Sequence, residues 1–322
     1  MRATSLRRTC RKRCAFGPAD RLAVGWAVLA ESNYVSTMDC REEPHEGSEI
    51  RERHLVGWLR AQPSLAIGFS GGVDSAYLGA VAVETLGQNR VLAIIGNSAS
   101  FPEAQRQNAL TSGKRIGLRI IEVDTDELND PHYASNPTNR CYFCKTELWS
   151  RLVPVANQHG ITTIADGSNA DDEHEHRPGA RAAREHGVES PLAAAGLTKG
   201  DIRERSRVRG LPTWQQPSSP CLSSRIPYGT PVTVGRLRRV EHAEAAVRAL
   251  GVVGDLRVRH FGQLARVELS PPELAAWLSP ERSTALCAAV LAAGYTEVEI
   301  DPRGFRSGGL NELAGIAVVP RH

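Results

Sequence analysis

The sequence predicts an α/β fold: a Rossmann-like parallel sheet covered by helices, followed by a smaller α+β C-terminal domain. Short apolar runs alternate with helical stretches from Ser64 onward, a glycine-rich turn follows the first run, and period-two alternation appears only near residue 258. Apolar runs separated by helices are typical of strands that are buried on both faces. The predicted strands of the first sheet are Leu65 to Phe69, Val91 to Ile95, Leu118 to Val123 and Ile161 to Ala165.

Helical stretches separate these strands, over Ala76 to Leu86 and Glu103 to Arg115, and a third helix runs from Asn139 to about Gln158. The smaller unit is predicted to contain helices over 234–250 and 272–292 and strands over 256–260, 265–269 and 296–300. We therefore divide the chain into a parallel-sheet domain over 51–225 and a C-terminal α+β domain over 226–322.

The composition is that of an ordinary globular protein with about two domains. The 322 residues carry 39 Lys and Arg against 36 Asp and Glu, a formal charge of +3. This balance provides no chain-wide field for a polyanion and argues against nucleic acid as a partner. No apolar run reaches the roughly 18 residues of a membrane span, so no membrane association is expected. Seven cysteines are too few for a disulfide scaffold and suggest reduced thiols, metal ligands or catalytic sulfur.

The first 50 residues differ from the rest of the chain. Residues 1–22 are rich in arginine and are followed by a short apolar run, Leu22 to Ala30, which outlines a signal peptide. The segment between Met1 and Met38 lacks any periodic pattern, which favours a disordered or mis-assigned extension. If the rest of the chain needs ATP and reduced cysteines, export would deprive it of both, so we exclude residues 1–50 from the fold and predict a cytoplasmic protein.

The turn Ser70-Gly71-Gly72-Val73-Asp74-Ser75 is the richest candidate for phosphate binding. It lies at the carboxyl end of a predicted parallel strand, where such sheets bind their ligands. Its two glycines let the backbone approach an anion closely, and the following helix directs free N–H groups toward that anion. Asp74 either holds Mg²⁺ or caps the helix. The turn lacks the lysine of a Walker A motif, which argues against an ordinary NTPase.

Polar residues also follow two other predicted strands. Asn97 and Ser98 come after the second strand, although Asn and Ser are also routine turn residues. Asp166 and Gly167 open the acidic segment that ends at Asp172. Carboxylates at this edge of the sheet either position Mg²⁺ and substrate or cap the next helix.

Three cysteines are placed to do chemistry. Cys141 and Cys144 are separated by two residues at a predicted helix start, which suits a metal, a cluster or a redox disulfide. Cys221 lies in the proline-rich loop 211–229, which we interpret as functional because prolines fix its backbone outside any core element. Three thiolates would leave one position open on a zinc ion or on one iron of a 4Fe-4S cluster. Cys287 is predicted to be a small buried hydrophobe.

Arginines mark a candidate phosphate site in the C-terminal domain. Arg257 and Arg259 share one face of a predicted strand because alternate residues point the same way. Two adjacent guanidinium groups suit the phosphate of a mononucleotide, although a solvated edge strand is the simpler interpretation. Arg303 and Arg306 are candidates to join them.

As a set, five motifs resemble those of the LarE-type ATP-dependent sulfur transferases, which belong to the PP-loop ATP pyrophosphatase superfamily. The likeness spans roughly residues 51–312 and includes the final motif Asp301-Pro-Arg-Gly-Phe-Arg-Ser-Gly. The five motifs cover 70–75, 141–144, 166–172, 177–184 and 221–229.

The resemblance implies a PP-loop (adenine nucleotide alpha hydrolase) fold and cleavage of ATP between its α and β phosphates. A carboxylate of pyridinium-3,5-biscarboxylic acid mononucleotide would be adenylated and then converted to a thiocarboxylate, in synthesis of the nickel-pincer nucleotide of lactate racemase. The resemblance implies that ATP and its pyrophosphate group are bound, together with Mg²⁺, by Ser70 to Ser75, Asn97, Ser98, Asp166 and Gly167. It also implies that Asp74 is catalytic. The implied substrate ligands are Arg225, Arg257, Arg259, Arg303 and Arg306.

The same resemblance assigns Cys221 as the sulfur-donating cysteine. Together with Cys141 and Cys144 it resembles the members in which three cysteines hold a 4Fe-4S cluster, so that sulfur comes from the cluster or from Cys221 itself. The family often has Lys where Gln216 stands, which removes one charged contact. The family also implies a homo-oligomer, with sulfur-donor or cluster-assembly proteins as partners.

Two other functions are compatible with these motifs. A PP-loop tRNA thiolation enzyme combines the same turn with three cluster cysteines, but it would need a basic, aromatic-rich RNA surface. A non-catalytic adenine-nucleotide-binding protein would use the cysteines for structural zinc. Release of pyrophosphate and the metal content of the protein distinguish these possibilities.

Overall fold

The computed structural model describes residues 46–174, 178–218 and 220–316. The strands of the first sheet are β1 (Leu65–Gly68), β2 (Val91–Asn97), β3 (Arg119–Asp124) and β4 (Ile164–Ala165). They are parallel and lie in the order β3-β2-β1-β4. The predicted Rossmann-like parallel sheet is therefore confirmed.

Helices cover both faces of this sheet. Alternate strand residues point to opposite faces, so they pack into two separate cores. Leu65 and Ile67 pack into one core and Ala66 into the other. The helices are α1 (Glu46–Arg60), α2 (Val73–Leu86), α3 (Glu103–Ile116), α4 (Pro131–Ala134), α5 (Arg140–Gln158), α6 (Pro178–Glu185), α7 (Pro191–Ala194) and α8 (Lys199–Val208). Side chains of α1, α2, α3 and α8 contribute to the first core, and those of α5 and α6 to the second.

The strand order places a ligand crevice beside β1. The chain passes from β1 to β2 and β3 on one side, and β4 then pairs with the opposite side of β1. Ligands of open α/β sheets bind at such a reversal, beyond the carboxyl ends of the strands. The glycine-rich turn follows β1 and the acidic segment follows β4, so both candidate motifs border this crevice.

The C-terminal unit has a mixed sheet in which β5 (Leu256–Phe261) is antiparallel to β6 (Leu264–Leu269), and β6 is parallel to β7 (Glu297–Ile300). Its helices are α9 (Val234–Ala249), α10 (Pro271–Trp277), α11 (Pro280–Ala292) and α12 (Gly309–Leu313). The predicted α+β architecture is confirmed. The single helix predicted over 272–292 is wrong, because the chain breaks at Leu278 and Ser279. Pro280 cannot donate a backbone hydrogen bond, and it starts a new helix.

The N-terminal boundary also differs from the prediction. Helix α1 begins at Glu46, so residues 46–50 of the predicted extension are helical and belong to the first unit. Residues 1–45 lie outside the described residues, as do Arg177 of the quoted motif 177–184 and residues 317–322. Within the described ranges, no helix combines the length and apolar character needed to cross a membrane.

An ion-pair network fastens α1 to α2 and α8. The Glu52 carboxylate accepts hydrogen bonds from Arg205 at 3.0 Å, from Arg209 at 2.8 Å and from the Tyr77 hydroxyl at 2.7 Å. Burial opposes ionisation, but these donors prevail and lower the pKa of Glu52 from 4.5 to about 2. The ionised form is therefore stabilised by folding, and this helix contact weakens in acid.

We expect Glu52→Gln to lower the free energy of unfolding by roughly 1–3 kcal/mol at pH 7, because the arginines lose their charged acceptor. The pKa of Glu52 is depressed in the folded protein, so its contribution is present above about pH 4.5 and is lost as the pH falls toward 2. Urea unfolding of variant and wild type should therefore converge in acid. Glu84→Gln is the control, because Glu84 pairs with Arg209 but is 65% exposed. Equal effects of the two substitutions would contradict this assignment.

Candidate active site

The glycine-rich turn forms an open cradle between β1 and α2. Gly72 is the N-cap of α2 and, within the described residues, no side chain caps that helix. The first backbone N–H groups of α2 are therefore left for a ligand. The Ser75 hydroxyl donates to the Gly72 carbonyl at 3.2 Å, and its Oγ lies 3.3 Å from Ser70 Oγ. Unpaired N–H groups, hydroxyls and the positive end of a helix dipole are what a phosphate group requires.

Two glycines allow the elements around this cradle to approach closely. Gly71 has a φ of 67°, and a Cβ at this position would lie 2.4 Å from the Ala109 Cα of α3. Gly167 follows β4, and a Cβ there would lie 3.1 Å from the Ser75 nitrogen. Gly71 is therefore required for its backbone conformation and for space, while a side chain at Gly167 would be tightly packed against the start of α2.

Asp74 lies in the first turn of α2 and forms an ion pair with Lys199, the first residue of α8. Because Gly72 occupies the N-cap, the interpretation of Asp74 as a helix cap is wrong. The other carboxylate oxygen of Asp74, Oδ1, is buried and has no hydrogen-bond partner within the described part of the chain. A buried carboxylate oxygen without a donor suits a hard cation, so this residue fits the expected Mg²⁺.

The acidic segment after β4 organises the crevice. Asp166 accepts hydrogen bonds from the Ser168 amide at 3.0 Å, the Ser168 hydroxyl at 2.8 Å and the Ser190 hydroxyl at 2.8 Å. Asp171 accepts the backbone N–H of Lys199 at 2.8 Å. Asp171 therefore fixes where α8 begins and where its first side chain projects, while nucleotide binding by Asp166 and Gly167 stays a prediction.

The residues after β2 connect the crevice to the Cys221 loop. Asn97 donates to Asp124 of β3 at 2.9 Å, and the hydroxyls of Ser98 and Ser100 lie 2.9 Å apart. The backbone N–H of Leu222 donates to the Ser100 carbonyl at 2.8 Å. The residue after Cys221 is thus hydrogen-bonded to the chain at the carboxyl end of β2. Contact of Asn97 and Ser98 with adenosine stays a prediction.

The proline-rich loop also reaches the phosphate cradle through two glutamines. The Gln216 amide donates to the Gln105 side chain at 3.1 Å, and Gln105 donates to the Ser70 carbonyl at 2.8 Å. Gln216 therefore acts as a neutral hydrogen-bonding link between the loop and the glycine-rich turn. The loop is connected to the sheet edge at two points, one at the glycine-rich turn and one next to Cys221.

Asn136 joins the loop to the start of α5. It is fully buried with a φ of 60°, and its side-chain amide donates to the carbonyls of Ile226 at 3.3 Å, Pro227 at 2.8 Å and Thr230 at 2.8 Å. Its own carbonyl accepts from the Gly229 amide at 2.9 Å. One residue thus satisfies four backbone groups of a segment that is about 90 positions away in the sequence.

Arg140 and Tyr133 complete this junction. Arg140 donates to the Asn136 side chain and, at 3.0 Å, to the Ser223 carbonyl. The Tyr133 hydroxyl lies 2.6 Å from the Ser223 hydroxyl. Since Arg140 immediately precedes Cys141 and Ser223 lies two residues after Cys221, this contact brings the cysteine segments together.

The ionisation of the Cys141 and Cys144 thiols is influenced by Cys221. Burial raises the pKa of Cys144, and the charges of Glu127, Cys221 and Cys141 raise it further. Cys141 has exposed surface, but protein is packed around its thiol. This burial and the nearby Cys221 charge raise the pKa of Cys141, while the Arg140 charge opposes the shift. Both thiols are therefore protonated at neutral pH unless a cation is bound.

Cys141, Cys144 and Cys221 fit a thiolate-bound metal or cluster in residue type and in neighbourhood, because a cation would relieve the mutual repulsion of their charges. Yet across residues 46–174, 178–218 and 220–316, no group of three or more His, Cys, Asp or Glu side chains is arranged to hold a metal ion. The donors are present, but their side chains do not surround one point. The predicted 4Fe-4S cluster stays a prediction. Cys287 is buried in the C-terminal core, as expected.

The three buried candidate arginines have protein partners. Arg225 is 2% exposed and pairs with Glu244 at 2.8 Å. Arg259 pairs with Glu268 at 2.8 Å and donates to the Ser224 carbonyl at 2.9 Å. Arg257 donates to the Ser218 carbonyl at 2.6 Å, and burial together with the charge of Arg225 lowers its pKa to about 10. The interpretation of Arg257 and Arg259 as a solvated edge is therefore wrong, since both hold the Cys221 loop.

The other two arginines are more accessible. Arg303 pairs with Asp301 at 3.0 Å and is 61% exposed, and Arg306 pairs with Glu312 at 2.7 Å and is 41% exposed. Pairs with this exposure are weak and exchange readily. Substrate binding by any of the five arginines stays a prediction.

Comparison with known proteins agrees with this site. The NAD synthase family matches residues 58–152, which include the phosphate cradle. The pyridinium-3,5-bisthiocarboxylic acid mononucleotide synthase of Lactiplantibacillus plantarum is 32% identical over 80% of this chain and 92% of its own length. An uncharacterized protein of Synechocystis is 41% identical over 77% of this chain and 91% of its own length. The glutamine-dependent NAD⁺ synthetase of Synechocystis is 28% identical over 37% of this chain.

The parallel sheet, the cradle and these matches define an ATP-using enzyme of the PP-loop class. Within that class, the chain belongs to the family of the pyridinium-3,5-bisthiocarboxylic acid mononucleotide synthases, the LarE family. The predictions of an ATP-dependent enzyme and of sulfur transfer are thereby confirmed.

Sequence reasoning missed several residues that build this site. Lys199 lies 125 positions from Asp74, so no local motif announces their pairing. Gln105 and Arg140 resemble ordinary helix residues. Asn136 precedes a proline, and this dipeptide does signal a turn, but it does not reveal the segment to which the amide binds.

We expect Gly71→Ala to lower the free energy of unfolding by at least about 2 kcal/mol, because the added methyl meets the α3 backbone at a residue with positive φ. Gly72→Ala is the matched control. Its φ is −74°, and the nearest atom to an added Cβ is Ser70 Oγ at 3.4 Å. Chemical unfolding of both variants without nucleotide measures the difference. Equal stability of the two variants would show that α3 does not constrain the turn.

Proposed function

We propose that the protein adenylates a carboxylate of pyridinium-3,5-biscarboxylic acid mononucleotide and converts it to a thiocarboxylate, in synthesis of the nickel-pincer nucleotide of lactate racemase. The observation that carries the proposal is the hydrogen bond from Leu222 to Ser100, which holds the Cys221 loop at the sheet edge that also bears the phosphate cradle. Acyl activation followed by sulfur transfer needs these two parts side by side. The similarity to the pyridinium-3,5-bisthiocarboxylic acid mononucleotide synthase of Lactiplantibacillus plantarum supports this substrate.

The proposed reaction has two steps. A substrate carboxylate oxygen attacks the α-phosphorus of ATP, the bond from that phosphorus to the bridging oxygen breaks, and pyrophosphate leaves. A sulfur nucleophile then attacks the acyl carbon of the adenylate, and AMP leaves with the electron pair of the broken C–O bond. Activation is needed because a free carboxylate lacks a leaving group that sulfur could displace.

The cradle residues stabilise the departing pyrophosphate. The free N–H groups at the start of α2 and the hydroxyls of Ser70 and Ser75 bind its oxygens. Asp74 Oδ1 offers a ligand for Mg²⁺. The turn has no Walker A lysine, and Lys199 supplies a positive charge in its place. Asp74 would hold Mg²⁺, which would neutralise phosphate charge, and the Lys199 ammonium group beside it would donate to a phosphate oxygen.

Sulfur reaches the acyl carbon from the Cys221 segment. If Cys221 itself is the donor, its Cβ–Sγ bond breaks and its α-proton is lost, which leaves dehydroalanine and limits the protein to one turnover. If Cys141, Cys144 and Cys221 hold a 4Fe-4S cluster, the cluster supplies an exchangeable sulfur. The presence of all three cysteines favours the cluster, and a sulfur-donor or cluster-assembly protein would replenish it.

The arginines of the C-terminal unit are proposed to bind the substrate mononucleotide. Arg303 and Arg306 are accessible and can exchange their carboxylate partners for a phosphate dianion. Arg225, Arg257 and Arg259 are buried, and they position the Cys221 loop toward the same substrate. The need for ATP and reduced thiols places the protein in the cytoplasm. The family resemblance further suggests a homo-oligomer, which light scattering would test.

We expect Cys221→Ala to retain substrate-dependent release of pyrophosphate but to lower thiocarboxylate formation by at least about 100-fold, because adenylation does not use the thiol. Mass spectrometry of the mononucleotide product measures both steps. Cys287→Ala is the matched control, since Cys287 lies in the C-terminal core. Undiminished thiocarboxylate in Cys221→Ala would remove this residue from the mechanism. Pyrophosphate release that depends on tRNA would instead favour a tRNA thiolation enzyme.

Anaerobic purification should give a brown protein with about four irons and four sulfides per chain. The three-cysteine set predicts this stoichiometry, and replacement of Cys141 or Cys144 should abolish it. Iron and acid-labile sulfide assays, with the absorption spectrum, provide the measurement. Zinc without iron, together with ATP binding but no pyrophosphate release, would favour a non-catalytic nucleotide-binding protein. Absence of every metal would favour Cys221 as the sacrificial donor.

We expect Lys199→Met to lower the rate of pyrophosphate release by about 100-fold, because one charge that stabilises the departing phosphates is lost. Lys199→Arg should restore part of the rate. Lys114→Met is the control, because Lys114 is an exposed residue on α3. Release of pyrophosphate is followed under single-turnover conditions with saturating ATP. A wild-type rate in Lys199→Met would assign this lysine a purely structural role.

A further inference from the structure

A cavity of about 350 Å³ lies between the start of α9 and the turn from β5 to β6. Its walls include Arg236 and Arg239 from α9, His260 from β5 and Gly262 from the turn. Adjacent strand residues project to opposite faces, so His260 points away from the face that bears Arg257 and Arg259. The cavity is therefore separate from the proposed mononucleotide site.

The two arginines of this cavity are cations without carboxylate partners. Arg236 donates to the Pro231 carbonyl, and the Arg239 guanidinium lies 5.5 Å from the centre of the Tyr295 ring. Neither forms an ion pair with any carboxylate in the described ranges. In the same unit, by contrast, the guanidinium groups of Arg225, Arg259 and Arg266 pair with Glu244, Glu268 and Glu299.

His260 adds a buried polar group to the same wall. The residue is 2% exposed, and its Nδ1 lies 3.1 Å from the Tyr295 hydroxyl. Its Nε2 has no hydrogen-bond partner among the residues that the structure describes. Burial and the charges of Arg236 and Arg239 lower the pKa of His260 to about 4, so the ring is neutral at pH 7. In the tautomer that carries the ring proton on Nε2, the Tyr295 hydroxyl donates to Nδ1 and Nε2 can donate to a ligand.

The backbone leaves room for a ligand at this point. Thr233 caps α9 by accepting the Arg236 N–H, so the N–H groups of Val234 and Gly235 have no intrahelical partner. A Cβ built on Gly235 or Gly262 would meet no atom within 4 Å. Exposed N–H groups at the positive end of a 16-residue helix attract an anion.

We propose that this cavity is a second anion site, which binds the phosphate group of a small organic phosphate monoester. One volume is lined by the two guanidinium groups, which form no ion pair within the described residues, by a buried ring donor and by the start of α9. Together they supply positive charge and directed hydrogen-bond donors. The volume lies within the range of small-molecule sites, and it leaves space for an organic portion beside the phosphate. The proposal does not depend on the sulfur chemistry.

Isothermal titration of the full chain with ribose 5-phosphate in low-salt, phosphate-free buffer tests the site. We expect saturable one-site binding that weakens at least about tenfold in Arg236→Ala and in Arg239→Ala. Arg238→Ala is the matched control, because it removes an exposed charge from the same helix and should leave the affinity unchanged. Circular dichroism verifies that each variant is folded, and Arg239→Gln provides a second, more conservative change.

Two further measurements show where ribose 5-phosphate binds and which part of it is recognised. Lys199→Met and Arg303→Ala should bind ribose 5-phosphate as the wild type does, because a loss in either would place binding at the ATP cradle or at the proposed mononucleotide site and overturn the proposal. Inorganic phosphate should bind more weakly than ribose 5-phosphate, and the reverse order would show that the cavity takes the free ion. No binding of either probe, or an equal loss in Arg238→Ala, would also contradict the proposal.

Discussion

The site depends on one buried amide. Asn136 adopts a left-handed conformation so that its side chain can donate to three carbonyls of the segment after Cys221. Buried polar groups in such a network stabilise only when nearly all of them are satisfied, so the network specifies a single position of the loop. The sulfur-bearing segment is thereby placed relative to α5, which carries Cys141 and Cys144.

The cations around the crevice already have partners in the protein. Lys199 pairs with Asp74, and Arg225 and Arg259 pair with Glu244 and Glu268. These pairs hold the charged side chains in place in the absence of ligand. Ligand binding therefore costs less side-chain conformational entropy. A ligand that pairs with one of these charged side chains must then displace its internal partner.

The features that follow from local pattern were predictable from the sequence. The strands, the glycine-rich turn and the polar strand ends each depend on a few consecutive residues. The break at Pro280 was missed because the apolar helical pattern continues on both sides of it. Lys199 and Asn136 were missed for a different reason: each acts on a residue about 90 or more positions away, and periodicity carries no such information.

The contacts of Asn136, Arg140 and Tyr133 place Cys221 beside Cys141 and Cys144. A short bifunctional thiol cross-linker, applied to the folded protein without metal and mapped by mass spectrometry, tests this neighbourhood directly. We expect a link from Cys221 to Cys141 or Cys144, and we expect a denaturant to abolish it. Efficient labelling of all three thiols without any link to Cys221 would contradict it.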